Sequence, residues 1–354
     1  MNHKRHGSKR LAAAVLVVAA TAALAVTSSD GAAPNGRHAK SSVSGQRFKM
    51  IIQGSPDPSK VVEVHAVNLL KKLGVDASVV YNPTSSNVAI AQLMSGDADA
   101  FSNAVAGGYG AAIAGVPITV FSLLEPREDY TLISRPDISS IAQLKGKNIG
   151  VLDTSSINYP QELIALKTGG LGPGDVNTIT AGGQSSRLAA LVAGRLDATM
   201  LSHLSWLKVQ SQGYHLLFDY TKQASGLYDD TAWSTNSWLA SHKELAVDFN
   251  KAVLQSYEWF DNPKNKQAVI NEAVALAPGS DPAQVGQLFD ILRANHCYPV
   301  GQILNIPTLK YMAALFEQLG TVKGHKAVGT WANIYYAKAA KQALYPSKKA
   351  KKKK

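Results

Sequence analysis

"GDADAFSNA" at residues 96–104 and "GRLDATMLSH" at residues 194–203 are two versions of one phrase. A short apolar helical pattern precedes each of them, "VAIAQLMS" in the first case and "RLAALVA" in the second. The two leading glycines are 98 residues apart, and so are Asp99 and Asp197. A helix that ends at glycine and leads into a strand therefore occurs twice, which predicts two α/β lobes of similar plan.

Strand and helix patterns alternate around both phrases. In the first lobe, "FKMIIQG", "DASVVYN" and "ADAFSNA" predict strands; in the second, "KNIGVLD", "VNTITAG", "DATMLS" and "YHLLFDYT" do so. Amphipathic helical patterns separate most of these strands. Such alternation predicts parallel βαβ units in each lobe.

The chain after Trp233 contains about five helical patterns and no strand pattern. Helices without a sheet of their own must pack on a sheet formed earlier in the chain. We therefore predict that residues 47–131 and 234–345 form the first lobe and that residues 132–233 form the second. Two extended segments would cross between the lobes, near "LLEPREDYTLISRP" and near "LYDDTAWSTNSWL".

The N-terminus has the three parts of a secretory signal peptide, predicted at residues 1–25. A basic stretch precedes an apolar run from Leu11 to Val26, and "ALA" at residues 23–25 offers a small-residue cleavage site. An uncleaved anchor helix is the alternative, although the run is short for a bilayer span. Residues 26–46 follow as a predicted flexible linker.

The net charge of +11 is concentrated at the two ends of the chain. Ten of the 36 basic residues lie in the leader and in the lysine-rich tail at residues 346–354, which leaves 26 against 25 acidic residues. A nearly neutral body argues against nucleic-acid binding. The single cysteine, Cys297, allows no internal disulfide, and no cysteine follows the apolar run as a lipoprotein anchor would require.

Four phrases carry a resemblance to a known family: "LMSGDADAFSN", "SIAQLKGKNIGVLDTSS", "LAALVAGRLDATMLS" and "WLASHKELAVDFNKAVLQSYEWFDNPKN". They resemble substrate-binding proteins of bacterial ABC importers, in the group that handles nitrate, sulfonates, taurine and pyrimidine precursors of thiamine. The resemblance covers about residues 47–344. It implies the α/β periplasmic-binding-protein fold of type II, with two lobes, two crossovers and a helical C-terminal layer on the first lobe.

The resemblance also implies a function. We expect an exported, extracytoplasmic monomer that closes on a small polar or anionic organic solute of the sulfonate, carboxylate or pyrimidine-precursor type. It would deliver this solute to a membrane permease, without catalysis, metal or cofactor. An enzyme of thiamine-precursor or menaquinone-type synthesis on the same fold is a second hypothesis, although the pyrimidine-synthase relatives carry a cysteine cluster that this chain lacks. A secreted sensor or adhesin domain is a third.

Ligands of open α/β sheets bind beyond the carboxyl ends of the strands, where helices begin. Helix N-termini there supply unpaired N–H groups and partial positive charge, and hydroxyl-rich stretches follow several predicted strands. We predict ligand contacts from Ser55, Asp57, Ser85, Ser86, Ser102, Asn103, Thr154, Ser155, Ser156, His203 and Trp206. Plain helix capping is the alternative for the hydroxyl residues.

Three further expectations concern charge. No Arg or Lys stands at the predicted strand ends, which argues against a small anion held wholly by charge pairing. Asp99 and Asp197 stand at strand starts, away from the predicted cleft, and we interpret them as turn residues that satisfy local N–H groups. The lysine-rich tail is either a contact with an anionic cell envelope or a solvated segment without a partner.

Overall fold

The computed structural model describes residues 41–82, 85–154, 156–224 and 226–346. The predicted leader, most of the predicted linker, Ser155 and the tail lysines lie outside the described residues. The strands are β1 (Arg47–Gln53), β2 (Asp76–Asn82), β3 (Ala100–Ala104), β4 (Ile118–Leu123), β5 (Tyr130–Ser134), β6 (Asn148–Val151), β7 (Asn177–Thr180), β8 (Ala198–Ser202), β9 (His215–Asp219) and β10 (Asp230–Thr235).

The α-helices surround these strands, and they include short helices that follow a strand directly. They are α1 (Val61–Lys72), α2 (Ser86–Ser95), α3 (Val105–Ile113), α4 (Asn158–Thr168), α5 (Gln184–Val192), α6 (His203–Val209), α7 (Tyr220–Gln223), α8 (Asn236–Ser241), α9 (Lys243–Asp261), α10 (Lys266–Leu276), α11 (Pro282–Ala294), α12 (Ile306–Gln318) and α13 (Tyr335–Leu344).

The described strands form two five-stranded sheets of the same plan. The order is β2-β1-β3-β10-β4 in the first sheet and β7-β6-β8-β5-β9 in the second. Each sheet begins with three parallel strands, and its fourth strand, β10 or β5, runs antiparallel to both neighbours. This confirms the predicted α/β class. We call the layers around the first and second sheets lobe 1 and lobe 2.

The two segments predicted to cross between the lobes each contain a strand of a sheet. β5 begins at Tyr130 and β10 at Asp230, so the crossings themselves are residues 124–129 and 220–229. The predicted lobe boundaries at residues 131 and 233 therefore fall inside strands. Each of these two strands lies between two others, so its N–H and C=O groups pair with neighbours on both sides.

The repeated phrase joins neighbouring strands in both lobes. Gly96 and Gly194 follow their helices with φ of 80° and 71°, a conformation that favours glycine. Asp99 then accepts a hydrogen bond from the N–H of Lys49 at 2.8 Å, and Asp197 accepts one from Asn148 at 2.8 Å. The expectation that these aspartates satisfy only local N–H groups is therefore wrong, because each one binds the adjacent parallel strand.

An arginine completes the arrangement in each lobe. Arg47 pairs with Asp99 at 2.9 Å, and Arg135 pairs with Asp197 at 3.1 Å. These groups lie at the amino ends of the parallel strands, with Arg135 just after the end of antiparallel β5. This is the end of each sheet opposite the one where α2 to α5 begin. The paired aspartates are therefore structural.

The C-terminal helices pack on lobe 1, as the lack of strand patterns predicted. α9 packs against α1 and α13, and the ring of Phe249 lies 4.9 Å from that of Phe48 in β1. α11 also contacts α6 of lobe 2. Val43, inside the predicted linker, is fully buried in the same core, so the packed chain begins before Arg47. Within the described ranges, no helix has the length and apolar character needed to span a bilayer.

The glycine-rich stretch "AGGYGAAIAG" belongs to α3 and packs against large aromatic side chains. A Cβ at Gly108 would lie 2.1 Å from the indole of Trp233, so only glycine fits this contact. Trp233 stacks on Trp331 with ring centroids 5.8 Å apart, and both are fully buried, as is Tyr109. The glycines therefore admit aromatic packing in the core of lobe 1.

Candidate functional site

A cleft of about 380 Å³ lies between the two sheets, and both lobes line it. On lobe 1, the wall consists of the end of β1 with the loop after it, the start of α2, the end of β3 and the start of β10. On lobe 2, it consists of the start of β5, the chain after β6 with the start of α4, and residues 182–187 at the start of α5.

Strand direction explains why these segments meet. The carboxyl ends of the parallel strands point to one edge of each sheet, and their helices begin there. The antiparallel strands present their amino ends at the same edge. Tyr130, Asp229 and Asp230 therefore enter the cleft from the start of a strand, or the residue before it, and not from its end.

Asp57 and Asn103 define the polar surface of lobe 1 near the β1 and β3 ends. Asp57 Oδ1 accepts hydrogen bonds from the N–H of Ser59 at 2.9 Å and from its hydroxyl at 2.8 Å, and so caps the short 3-10 turn before α1. Asn103 Nδ2 donates to Ser86 Oγ at 3.2 Å. Both polar atoms of the Gln53 side chain are shielded from solvent and lack a hydrogen-bond partner among the described residues.

Lys60 lies among three buried carboxylates at the base of the lobe 1 wall. Its Nζ is 2.6 Å from Asp230, 2.9 Å from Glu125 and 3.4 Å from Glu63. Burial opposes the charge on Lys60, but these carboxylates outweigh it and raise its pKa well above the ordinary range. The same three carboxylates are close enough to ligate a metal ion together, and in this structure they surround the ammonium group.

Further carboxyl groups face each other where the two crossings run side by side. Burial and the charge of Asp230 raise the pKa of Asp229 to about 7. Burial and the charge of Asp229 raise the pKa of Glu128 well above its ordinary range, while Gln161 donates to Glu128 at 2.9 Å. The crossings therefore hold buried acids whose pKa values are raised by burial and by one another's charge.

Two helices of lobe 2 begin at the cleft without a capping side chain. α4 follows Ile157 and α5 follows Gly183, and neither has a side-chain hydrogen bond at its N-cap. The first N–H groups of a helix have no partner within the helix, and they carry partial positive charge. The start of α5 is therefore a site for an acceptor or an anion. The start of α4 offers fewer free N–H groups, because the Tyr159 N–H donates to the Ser156 carbonyl and Pro160 has no N–H.

Arg187 is the charged residue that lobe 2 contributes to the cleft wall. It is 1% exposed, and its guanidinium donates to the carbonyl of Gly182 at 2.6 Å and to that of Met200 at 3.1 Å. Burial lowers its pKa to about 10, so it is charged at neutral pH. Because helical side chains point toward the helix N-terminus, this charge lies beside the start of α5.

Five of the predicted site residues line the cleft: Ser55, Asp57, Ser86, Asn103 and Ser156. Ser85 instead caps α2, and the exposed Thr154 is not part of the wall. Ser102 is fully buried outside the wall, because side chains alternate along β3 and its neighbour Asn103 takes the cleft side. Ser155 lies outside the described residues. Ligand contact by the five lining residues stays a prediction.

His203 and Trp206 lie outside the cleft wall, contrary to prediction. His203 Nδ1 is 2.5 Å from Asp129 in the first crossing, and Nε2 is 3.4 Å from Asp219 at the end of β9. Burial opposes its charge, but the bonds to Asp129 and Asp219 outweigh it and raise the pKa to about 9. Trp206 packs on the apolar cluster that contains Leu201. Both residues therefore hold lobe 2 together.

The two basic residues of the wall, Lys60 and Arg187, were not predicted from the sequence. Both were overlooked because they come after the strand ends and return to the cleft from the first turns of the next helical segments. The available signal was a basic residue within the first helical turns that follow a strand, at "DPSK" and "QSSR". Asp229 and Asp230 were missed because β10, which begins at Asp230, was interpreted as part of an extended crossing.

A second cavity, of about 580 Å³, lies between α4 and α12. It is lined largely by aliphatic and small polar side chains, and Lys167 is the charged residue in its wall. It lies away from the strand ends and the free helix N-termini. The polar cleft between the sheets is therefore the better candidate for a functional site.

Comparison with known proteins identifies the family of this chain and its fold. The chain belongs to the NMT1/THI5-like family, whose model matches residues 69–266, more than half of the chain. This confirms the resemblance found in the sequence. No curated protein sequence matches the chain.

Solved structures share the architecture. The alkanesulfonate-binding protein SsuA from Xanthomonas axonopodis pv. citri, bound to MOPS, has a TM-score of 0.68 at 16% identity over 82% of this chain and 99% of that protein. The periplasmic nitrate-binding protein NrtA from Synechocystis PCC 6803 has 0.65 at 13% identity over 85% and 90%. The desulfurization enzyme DSZB has 0.59 at 14% identity over 84% and 100%. The chain therefore has the periplasmic-binding-protein fold.

Proposed function

We propose that the protein is the exported solute-binding component of an ABC importer and that the cleft between the lobes binds a small polar organic solute for delivery to a membrane permease. The observation that carries this proposal is the cleft itself, where strand ends of both lobes and helix N-termini of lobe 2 without a side-chain cap face a common space. Its volume of about 380 Å³ suits a small molecule. The binding proteins with a similar fold give it further support.

Closure about the two crossings is the proposed means of trapping the solute. Only residues 124–129 and 220–229 connect the described parts of the two sheets along the chain, so a change of backbone angles there rotates one lobe against the other. A solute that contacts both walls binds the closed form more tightly and shifts the population toward it.

The test is a thermal-shift screen of the purified chain against sulfonates, carboxylates and nitrogen heterocycles. A solute at about 100 times its Kd raises the free energy of unfolding by about 2.7 kcal/mol, which a melting curve detects easily. Small-angle X-ray scattering with the best solute should show a smaller radius of gyration. A screen without a stabilising compound would count against the solute-binding role.

Ser86→Ala is the matched site variant. The loss of one hydrogen bond to a charged solute weakens binding by roughly ten- to a hundred-fold. Ser95→Ala, at the other end of α2, changes an exposed serine that bonds Gln92 and Asp97 and should leave affinity unchanged. Equal affinities of the two variants would show that Ser86 does not contact the solute.

We also propose that the lysine-rich tail holds the protein near an anionic cell envelope. The support is its composition, because the lysines at residues 348–349 and 351–354 contrast with a nearly neutral body. Such attraction weakens as salt shortens the Debye length from ~10 Å at 0.1 M to ~3 Å at 1 M. The full chain should therefore leave envelope fractions at high salt, whereas a chain that ends at Ser347 should be released at any salt. Equal retention of both chains would contradict the proposal.

A further inference from the structure

The second crossing is tied to a different lobe at each of its ends. At its start, the hydroxyl of Tyr220 donates to the carbonyl of Gln161 in α4 of lobe 2 at 2.7 Å. Near its end, the Tyr228 hydroxyl accepts a hydrogen bond from Asn305, the N-cap of α12, at 2.7 Å. α12 belongs to lobe 1, where it packs against α3. The turn between the two tyrosines is therefore the part of this crossing where backbone angles can change in the proposed rotation of the lobes.

The cavity between α4 and α12 lies against this turn. Its volume is about 580 Å³, and its wall consists of residues 223–224 and 226–227 of the turn, one side of α4 and one side of α12. Ile164 of α4 and Ala224 of the turn each pack against the apolar cores of both lobes. We call this cavity the hinge pocket. Because its walls belong to different lobes, a rotation of the lobes would change its shape.

One side of the hinge pocket is apolar. Leu227 is buried there, and Ile164, Leu315 and Leu319 are half-buried in the same wall. Tyr311 of α12 also lines the pocket and is 58% exposed. Apolar surface that remains open to solvent in a concave site is typical of a ligand site, and the volume suits a small molecule. A molecule with an apolar body would therefore be stabilised in this pocket.

The polar groups of the pocket are mainly donors. Lys167 is the charged residue of the wall, and its ammonium group forms no ion pair or hydrogen bond with the described residues. The amide oxygen of Gln223 accepts the N–H of Asp219 at 2.7 Å, which leaves the amide nitrogen for another partner. No carboxylate of the described residues lines the pocket. An unpaired ammonium group beside an amide donor suits a carboxylate.

α4 and α12 both end at the pocket, where helix carbonyls carry partial negative charge. The carbonyl of Leu166 already accepts the N–H of Gly169, and that of Leu315 accepts the N–H of Leu319. The unpaired ammonium group of Lys167 therefore determines which charge the pocket attracts.

We propose that the hinge pocket is a second binding site, for an amphipathic carboxylate, and that its occupation regulates binding in the cleft. The aliphatic or aromatic body of the ligand packs on Ile164 and Leu315, and its carboxylate binds Lys167. The regulation rests on the proposed solute-binding function, whereas binding in the hinge pocket does not.

Regulation follows from the position of the pocket. A ligand that contacts α4 and α12 together binds the open and closed arrangements of the lobes with different affinities. The solute of the cleft also distinguishes those arrangements. Each ligand therefore changes the affinity for the other by the same factor.

The first test measures the binding of octanoate to the full chain by calorimetry, beside octanol, which has the same apolar body without the charge. Lys167→Met removes the ammonium group and keeps an apolar stem, so octanoate should bind about five- to ten-fold more weakly while octanol binds as before. Lys338→Met is the control, because Lys338 is an exposed lysine of α13 without an ion pair among the described residues. It should bind octanoate as the unchanged chain does.

The second test fills the hinge pocket. Thr168 is exposed in the last turn of α4 and lines the pocket, so Thr168→Trp places an indole where the apolar body would lie. This variant should bind neither octanoate nor octanol. Gln287→Trp, at an exposed position of α11, carries the same side chain away from the pocket and should bind both.

The third test measures regulation. The affinity for the best solute of the thermal-shift screen is determined with and without saturating octanoate, and it should change about five-fold or more. Lys167→Met should bind that solute as tightly as the unchanged chain does in the absence of octanoate. Its response to a fixed low concentration of octanoate should be weaker.

The outcomes separate this inference from the proposed function. Equal binding of octanoate by Lys167→Met and the unchanged chain would overturn the inference, and the solute-binding role would stand. Lys167-dependent binding that leaves the affinity of the cleft unchanged would overturn the regulation. If the screen finds no solute of the cleft while octanoate binds through Lys167, the proposed function fails together with the regulation, and the second site stands.

Discussion

Asp99 and Asp197 each combine two contacts in one side chain. One oxygen accepts the N–H of a residue in the adjacent parallel strand, and the other pairs with an arginine. The main chain of each aspartate also donates back to that same residue, Lys49 or Asn148, at 2.8 and 2.9 Å. These contacts therefore fix the register of β3 against β1 and of β8 against β6, at the residue just before β3 or β8 begins.

Substitution can separate the hydrogen bond from the charge. Asp99→Ala leaves the Lys49 N–H without its acceptor and should lower the free energy of unfolding by about 1–3 kcal/mol. Asp99→Asn keeps an acceptor oxygen and loses only the pairing with the half-exposed Arg47, which should cost less than about 1 kcal/mol. Urea unfolding measures both values, and Asp197→Ala with Asp197→Asn repeats the comparison in lobe 2.

Equal losses for alanine and asparagine would show that charge pairing, and not the strand contact, stabilises this position. The sequence repeat predicted that the two aspartates have equivalent places. It did not predict their partners, because Lys49 and Asn148 lie about fifty residues away in the chain and only the parallel pairing brings them close.

At the scale of elements, α3 shows how helix composition follows from packing. Gly108 faces the indole of Trp233, where a Cβ would lie 2.1 Å from a ring atom. Gly110 lies two residues further on, and a Cβ there would meet Val322 at 3.8 Å, an ordinary contact distance. The two glycines share one helix and differ in their surroundings.

Gly108→Ala and Gly110→Ala should therefore have opposite effects. Gly108→Ala forces Trp233 or α3 to move, and the free energy of unfolding should fall by about 1–3 kcal/mol or more. Gly110→Ala restricts the unfolded chain without a clash and should raise it by about 0.4–1 kcal/mol. Thermal melts of the two variants measure the difference, and a stabilising effect of Gly108→Ala would show that the close contact does not constrain the helix.

The elements that the sequence predicted well are the ones with local signals. β2 was predicted at its observed bounds, because the alternation of apolar and polar side chains depends on adjacent residues. β4, β5 and β10 were not predicted as strands, and the segments that contain β5 and β10 were interpreted as extended crossings between the lobes. The cleft residues of β10 were lost with that strand.

The residues of the candidate site also divide into those with a local signal in the sequence and those without one. Hydroxyl and amide residues at the ends of parallel strands were predicted, and five of the named residues line the cleft. Asp57 was among them, but Lys60, Arg187 and Asp229 were missed, because they reach the cleft through helical turns and beside the start of an antiparallel strand. The positions of these residues depend on the directions in which helices and strands run in the folded chain, and the hydrophobic periodicity of the sequence does not encode those directions.

At the scale of the whole molecule, buried cations hold the first crossing to both lobes. Lys60 of lobe 1 binds Glu125 near the start of this crossing, and His203 of lobe 2 binds Asp129 at its end. Lys60 also binds Asp230, the residue directly after the second crossing. The proposed rotation of the lobes would therefore take place beside these ionic contacts.

The strand order has a consequence for the timing of folding. β4 pairs with no described strand except β10, whereas every strand of lobe 2 has its partners within residues 130–219. As the chain is made from its N-terminus, lobe 2 can complete its sheet while β4 still waits for residues 230–235. Pulsed hydrogen exchange during synthesis should protect β8 amides before those of β4, and simultaneous protection would contradict this order. Lobe 1, whose first strands are made before those of lobe 2, therefore completes its sheet last. The chain stays incompletely folded until β10 has emerged from the ribosome.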